Sequence, residues 1–206
     1  MKPISSVTIG SLKAEAGASK STGVQPGGTG SGTDLVRSSE TEMPRAMVAA
    51  DPEANTKDLV SRLRSCGLEV SWKTRMTFPV DPRTGASTWK DVFIGAKLSR
   101  LEGPQDLQEA KKMVAQSLLP AGKEWVAKWI TALSLAMNYQ QRNQTDFDLM
   151  SQIYIRGCLT FPGDIVRDTV TGWRGHWFPT WTELVDRLEE RTKPRRSLAL
   201  KLEELP

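Results

Sequence analysis

Residues 173–188, W-R-G-H-W-F-P-T-W-T-E-L-V-D-R-L, constrain the fold more than any other stretch of the chain. Thr180 and Glu183 stand at capping-box spacing, in which the hydroxyl accepts from the third helical N–H and the carboxylate reaches back to the cap. Pro179 pushes Phe178 into extended backbone, so the turn ends there. A helix over about 179–191 follows, with Leu184, Val185 and Leu188 at the spacing of one buried face. Three tryptophans and a phenylalanine crowd this short span, which otherwise holds little chemistry. His176, the one histidine of the chain, has no Ser or Cys tied to it by a recognisable motif and reads as a solvent-facing or capping residue.

The chain before it is also punctuated for helices. Asp51-Pro52-Glu53 reads as an N-cap, a first-turn proline and an early acid; Leu59, Val60, Leu63 and Cys66 share one face, and Gly67 is placed to terminate it. Structure is expected to begin near Asp51. Gly103-Pro104 opens a segment carrying Leu107, Ala110, Val114 and Leu118, which Leu119-Pro120 closes. After Gly122, the residues Trp125, Trp129, Ile130, Leu133, Ala136 and Met137 define a wide apolar stripe and predict the longest helix, running to about Gln141. Thr145-Asp146-Phe147-Asp148 has the form of another capping box, ahead of Leu149, Met150, Ile153 and Tyr154. That helix should stop over 157–160. Phe161-Pro162-Gly163-Asp164 then launches a short one with Ile165, Val166, Thr169 and Val170, ended by Gly172.

Residues 68–80 change period, since Leu68, Val70 and Trp72 alternate with Glu69, Ser71 and Lys73 as in a half-buried strand. Pro79, Pro82 and Gly85 break the pattern, so an extended or hairpin-like connector is expected. Lys73, Arg75, Arg83, Lys90, Lys97 and Arg100 are interleaved there with Trp72, Phe78, Trp89 and Phe93. Cations beside aromatics can grip single-stranded nucleic acid through phosphate charge and base stacking. The plainer reading, a solvated connector whose aromatics dock on the helical core, is favoured because no nucleic-acid module signature is matched.

Gly, Ser and Thr fill 20 of the first 45 positions, too little apolar content to offset chain entropy, and residues 1–45 are read as a disordered tail. Within it residues 27–33, G-G-T-G-S-G-T, hint at a phosphate loop but lack its lysine, with no strand before and no helix after. A linker is the better reading. At the other end, residues 193–206 carry Lys193-Pro194-Arg195-Arg196 and then Leu198, Leu200, Leu202 and Leu205 among acids. A loosely held terminal helix or a partner-binding segment is expected there.

The remaining function classes are narrowed by elimination. A net charge of +4 permits contact with nucleic acid without requiring it. Cys66 and Cys158 form no CxxC pair and read as buried packing in a reducing cytoplasm. No apolar run reaches the roughly 18 residues of a membrane span, nor does the N-terminus have a secretory signal's apolar core. One histidine and scattered carboxylates suggest neither a metal site nor an acid–base pair. Neither enzyme activity nor a cofactor is expected.

The segment from Phe161 to Leu184, F-P-G-D-I-V-R-D-T-V-T-G-W-R-G-H-W-F-P-T-W-T-E-L, resembles small phage and prophage proteins of the replication module. It is similar in style to the replication protein P type of lambdoid phages, the helicase loaders, over about residues 125–190. The resemblance implies an accessory protein that binds a replicative helicase or an initiator and uses no nucleotide. Trp173, Phe178, Pro179, Thr180 and Glu183 carry over as architecture only, and no contact residue transfers.

The fold expected is mainly α: a disordered tail (1–45), a short helix with an extended basic and aromatic connector (46–100), a small multi-helix domain (101–192) and a terminal segment (193–206). Arg174, His176, Trp177 and Trp181 are the candidate partner contacts. Lys73, Arg75, Lys90, Arg195 and Arg196 are the candidate nucleic-acid contacts. The alternative is a DNA-binding regulator of helix-turn-helix type formed by helices 162–172 and 179–191, although their connection is long for that motif and the second helix looks built to pack.

Overall fold

The structure, a computed structural model, describes residues 41–80, 84–137 and 144–205. Of the expected tail (1–45), residues 1–40, with the glycine-rich stretch at 27–33, lie outside the described residues. So do residues 138–143, which include the expected end of the fourth helix near Gln141. The chain runs as α1 (Arg45–Ala49), α2 (Pro52–Ser65), β1 (Leu68–Thr77), β2 (Lys90–Arg100), α3 (Leu107–Ser117), α4 (Lys123–Ala136), α5 (Gln144–Cys158), α6 (Gly163–Thr171) and α7 (Trp181–Glu203). The protein is mainly α, and no helix among the described residues is long and apolar enough to cross a membrane.

Local chemistry explains most of the helix starts. The Asp51 carboxylate accepts from the Ala54 N–H at 2.9 Å, and Pro52 occupies the first helical position, where its missing N–H costs nothing. Asp106 does the same for α3 through the Glu109 N–H at 2.9 Å. Gly67, at φ 79°, turns the chain out of α2 in the left-handed region that glycine adopts freely. Its carbonyl accepts from Leu101 at 2.9 Å and that of Cys66 from Asp106 at 3.2 Å, so α3 starts against the end of α2.

Several expectations need correcting. Order starts ahead of Asp51: Met43 is buried, and its N–H donates to the Pro120 carbonyl at 2.7 Å. In α4 the buried stripe is Val126, Ile130 and Leu133, while Trp125 is exposed. That helix ends at Ala136 and is not the longest. Helix α5 already includes Thr145, so the expected cap sits inside its first turn, and Leu149 and Ile153 face outward while Tyr154 is buried.

Strands β1 and β2 form an antiparallel hairpin, with a register shift at Lys73/Thr74 that leaves Ile94 unmatched. One face, with Leu68, Val70, Phe93, Ala96 and Leu98, joins the core formed with α2, α3 and the C-terminal half of α7. The Ala96 N–H donates to the Ser197 hydroxyl at 2.9 Å, which pins the hairpin to α7. The hairpin is therefore a wall of the fold at its base and more than a connector.

Helix α7 overturns the expected terminal segment. It continues for 23 residues straight through Pro194, roughly 34 Å at the usual helical rise. Leu184 and Leu188 belong to one core, shared with α4, α5 and α6; Leu198 and Leu202 belong to the hairpin core. Between them sits a polar seam. The Arg195 guanidinium, 1% exposed, binds both Asp164 carboxylate oxygens at 2.9 and 2.6 Å, the Ser117 and Pro52 carbonyls at 2.9 Å each, and the Thr56 hydroxyl at 3.2 Å. Asp164 is completed by the Ile165 N–H and by Asn55, which also donates to the Met47 carbonyl. This seam joins α1, α2, α3, α6 and α7.

Candidate functional site

Two surfaces carry the residues that sequence singles out: the turn between α6 and α7, over 172–180, and the outer part of the hairpin. The turn is built by its aromatic residues. Trp173 is buried, the Arg187 guanidinium lies 4.2 Å from its ring centroid, and its indole N–H donates to the Trp177 carbonyl at 3.1 Å. A side chain at Gly175 would collide with that indole, so the chain passes close over it. On the far side the Tyr154 hydroxyl donates to the Pro179 carbonyl at 2.7 Å, and its ring meets Phe178 and Trp181 at 5.3 Å each.

The result is a braced turn with its polar edge outward. Arg174 and His176 are exposed, and Trp177 is 82% exposed. Trp181 departs from the expectation that it is a partner contact. It is half-buried against Tyr154 and lies over Gly157, where any Cβ would strike its ring. Its place is architectural, like that of Trp173.

The capping box that starts α7 is complete: the Thr180 hydroxyl accepts from the Glu183 N–H at 3.3 Å, and the Glu183 carboxylate accepts from the Thr180 N–H at 2.8 Å. The Thr180 N–H, then the Thr180 hydroxyl, holds the Glu183 carboxyl below its ordinary value. A carboxyl depressed by folding contributes stability above its unfolded pKa and loses it as pH falls through the folded one. Thr180→Ala is expected to cost about 1 kcal/mol at neutral pH, measured by urea unfolding. The deficit should narrow as pH falls through the depressed Glu183 value, because protonation then removes the carboxylate half of the box in wild type as well.

The basic candidates divide. Lys73 and Arg75 are exposed on β1. Lys90 is exposed too but lies 3.0 Å from Glu190 of α7. Arg196 is exposed, with its guanidinium 5.2 Å from the Phe161 ring centroid. Arg195 is withdrawn as a nucleic-acid contact: all its donors point into the buried seam. Nothing in sequence links it to Asp164, 31 residues away, and an arginine beside Lys193 and Arg196 reads as surface.

Reactive groups are held inert or apart. Burial pushes the Cys158 thiol up to about 12, and burial followed by the nearby Asp106 and Glu109 charges raises that of Cys66. Both are buried free thiols, as the sequence suggests. A groove of about 850 Å³ opens beside α1 and the start of α4, between Val48, Trp125, Trp129 and Arg167. Arg167 donates to the Ala49 and Ala50 carbonyls and so fixes α1 as one wall of that groove. Comparison of the chain with protein-family models, curated proteins and solved structures finds no match.

Proposed function

We propose that this chain is a non-enzymatic, cytoplasmic replication accessory protein of phage type, which docks on a replicative helicase or an initiator through the turn between α6 and α7. The observation that carries this reading is Trp177, 82% exposed on a turn whose neighbouring aromatics are all fixed. Tryptophan and arginine dominate binding hot spots, and a contact displayed on a rigid support loses little freedom on docking. Arg174 and His176 extend the same edge. The likeness of residues 161–184 to the loader type supplies the partner class. The non-enzymatic part rests on a thiol held protonated at Cys158 and on a lone histidine open to solvent.

The helix-turn-helix alternative has less support. Helix α6 is buried over most of its length, and the exposed side of α7's first half presents Glu183, Asp186, Glu189 and Glu190 against Arg187. That balance of charge opposes a phosphate backbone.

The test is retention on immobilised replicative helicase and on immobilised phage initiator. Wild-type protein should be held by one of them, and Trp177→Ala should bind about ten- to thirtyfold more weakly with an unchanged melting temperature. Failure of the wild type to bind either would overturn the proposal.

A further inference from the structure

The hairpin is held to α7 at its base through Ser197 and at its last strand pair through Lys90 and Glu190, but the end beyond that pair has a chemistry of its own. By the register, Met76 continues the face on which Val70 and Trp72 lie, and Phe78 and Trp89 follow one step beyond the last strand pair, Thr77 and Lys90. Near the body this face is buried at Leu68 and Ala96, half-buried at Val70, and already open at Trp72. At the overhang Met76, Phe78 and Trp89 are 55%, 53% and 70% exposed. The Phe78 and Trp89 rings meet edge to face with centroids 4.0 Å apart, so the pair is preformed.

Charge accompanies this platform. Residues 72–80 and 84–97 hold four cations, Lys73, Arg75, Lys97 and Lys90, the last paired with Glu190 of α7, and one acid, Asp91. Alternation along the strand puts Lys73 and Arg75 on the side opposite Met76 and Phe78. A two-stranded ribbon is only about 5 Å between strand axes, so long basic side chains can reach around its edge to whatever lies on the aromatic face.

We propose that this end of the hairpin binds single-stranded nucleic acid, with bases stacked on Trp89 and Phe78 and phosphates held by Lys73 and Arg75 and, nearer the base, by Lys97. Exposed ring faces select for unpaired bases, because a duplex keeps its base faces inside its own stack. The cations supply the sequence-independent attraction. A lipid surface suits the overhang less well: residues 84–88, T-G-A-S-T, continue past the aromatics, are exposed, and would have to be buried with them. The site lies on different elements from the α6–α7 turn and does not depend on the helicase-docking reading.

The experiment is fluorescence anisotropy of the full chain with a labelled oligothymidine of about 20 nucleotides and with a duplex of equal length, at about 50 mM salt and above. The single strand should bind more tightly than the duplex. Trp89→Ala should weaken it about tenfold, while Trp89→Phe, which keeps a ring, should retain most of the affinity. Lys73→Gln with Arg75→Gln should lower the salt-dependence slope by about 1.4, two phosphate contacts' worth on a single strand. These side chains are exposed, so melting temperatures should not move. Equal or tighter duplex binding, full affinity in Trp89→Ala, or no oligonucleotide binding at low salt would each overturn the proposal, the last also if the protein instead captured anionic lipid vesicles.

Discussion

Replacing Arg195 with methionine is expected to destabilise the fold by about 3–5 kcal/mol, the usual cost of removing one partner from a buried ion pair. The side chain is 1% exposed and Asp164 is fully buried, so the loss leaves a carboxylate in the interior with only the Asn55 and Ile165 donors. It also strips a partner from the Pro52 and Ser117 carbonyls at the ends of two other helices. Arg195→Lys should recover only part of this, because one ammonium cannot span both carboxylate oxygens, two carbonyls and a hydroxyl in the geometry of the planar fork. Asp164→Leu combined with Arg195→Met should be less destabilised than the sum of the single changes, since no lone charge remains. Urea unfolding of wild type, both single changes at Arg195, Asp164→Leu and the double variant checks the series, and a loss under about 1 kcal/mol for Arg195→Met would mean that the seam is relaxed or wet.

That seam marks the limit of what the sequence discloses. Helix starts and ends governed by neighbouring residues are legible: Asp51 and Thr180 as N-caps and Gly172 as a terminator all stand where local spacing puts them. What sequence hides is set by partners distant along the chain. Pro194 reads as a stop because it lacks an N–H and disfavours helix at Lys193. The helix survives because Arg195, Leu198 and Leu202 are all buried beyond it, so tertiary burial outweighs the local penalty of about 3 kcal/mol. Trp125 likewise completes a convincing apolar stripe, yet burial falls one residue later, on Val126, and only the packing of α4 against α5 and α6 decides between them.

The candidate surfaces follow the same division. The turn before α7 is legible because its cap, its proline and its aromatics are contiguous. Trp181 is misread because Gly157, over which it lies, is remote in sequence. The basic and aromatic character of the hairpin is visible from composition, but its two roles are not. The base of the ribbon is core, through Leu68 and Ala96, while Phe78 and Trp89, one step past the Lys90–Glu190 pair, are exposed. A single period-2 pattern runs through both parts, so it cannot tell a packed strand from an overhang.

Leu198 and Leu200 provide the sharpest measure of whether residues 193–206 are core or appendage. Both are leucines of α7, two positions apart, so helix propensity changes almost equally when either becomes alanine. Leu198 is fully buried in the hairpin core beside Leu63, Leu68 and Val114, whereas Leu200 is 61% exposed. Leu198→Ala is expected to cost about 2–5 kcal/mol, from lost transfer energy and the cavity left behind. Leu200→Ala should stay within about 0.5 kcal/mol of wild type. Equal small effects at both positions would return the segment to a loosely held tail, and the hairpin would lose one of its supports. A large effect at Leu198 alone would make the end of α7 the strut that holds the base of the hairpin while its aromatic tip stays free to bind.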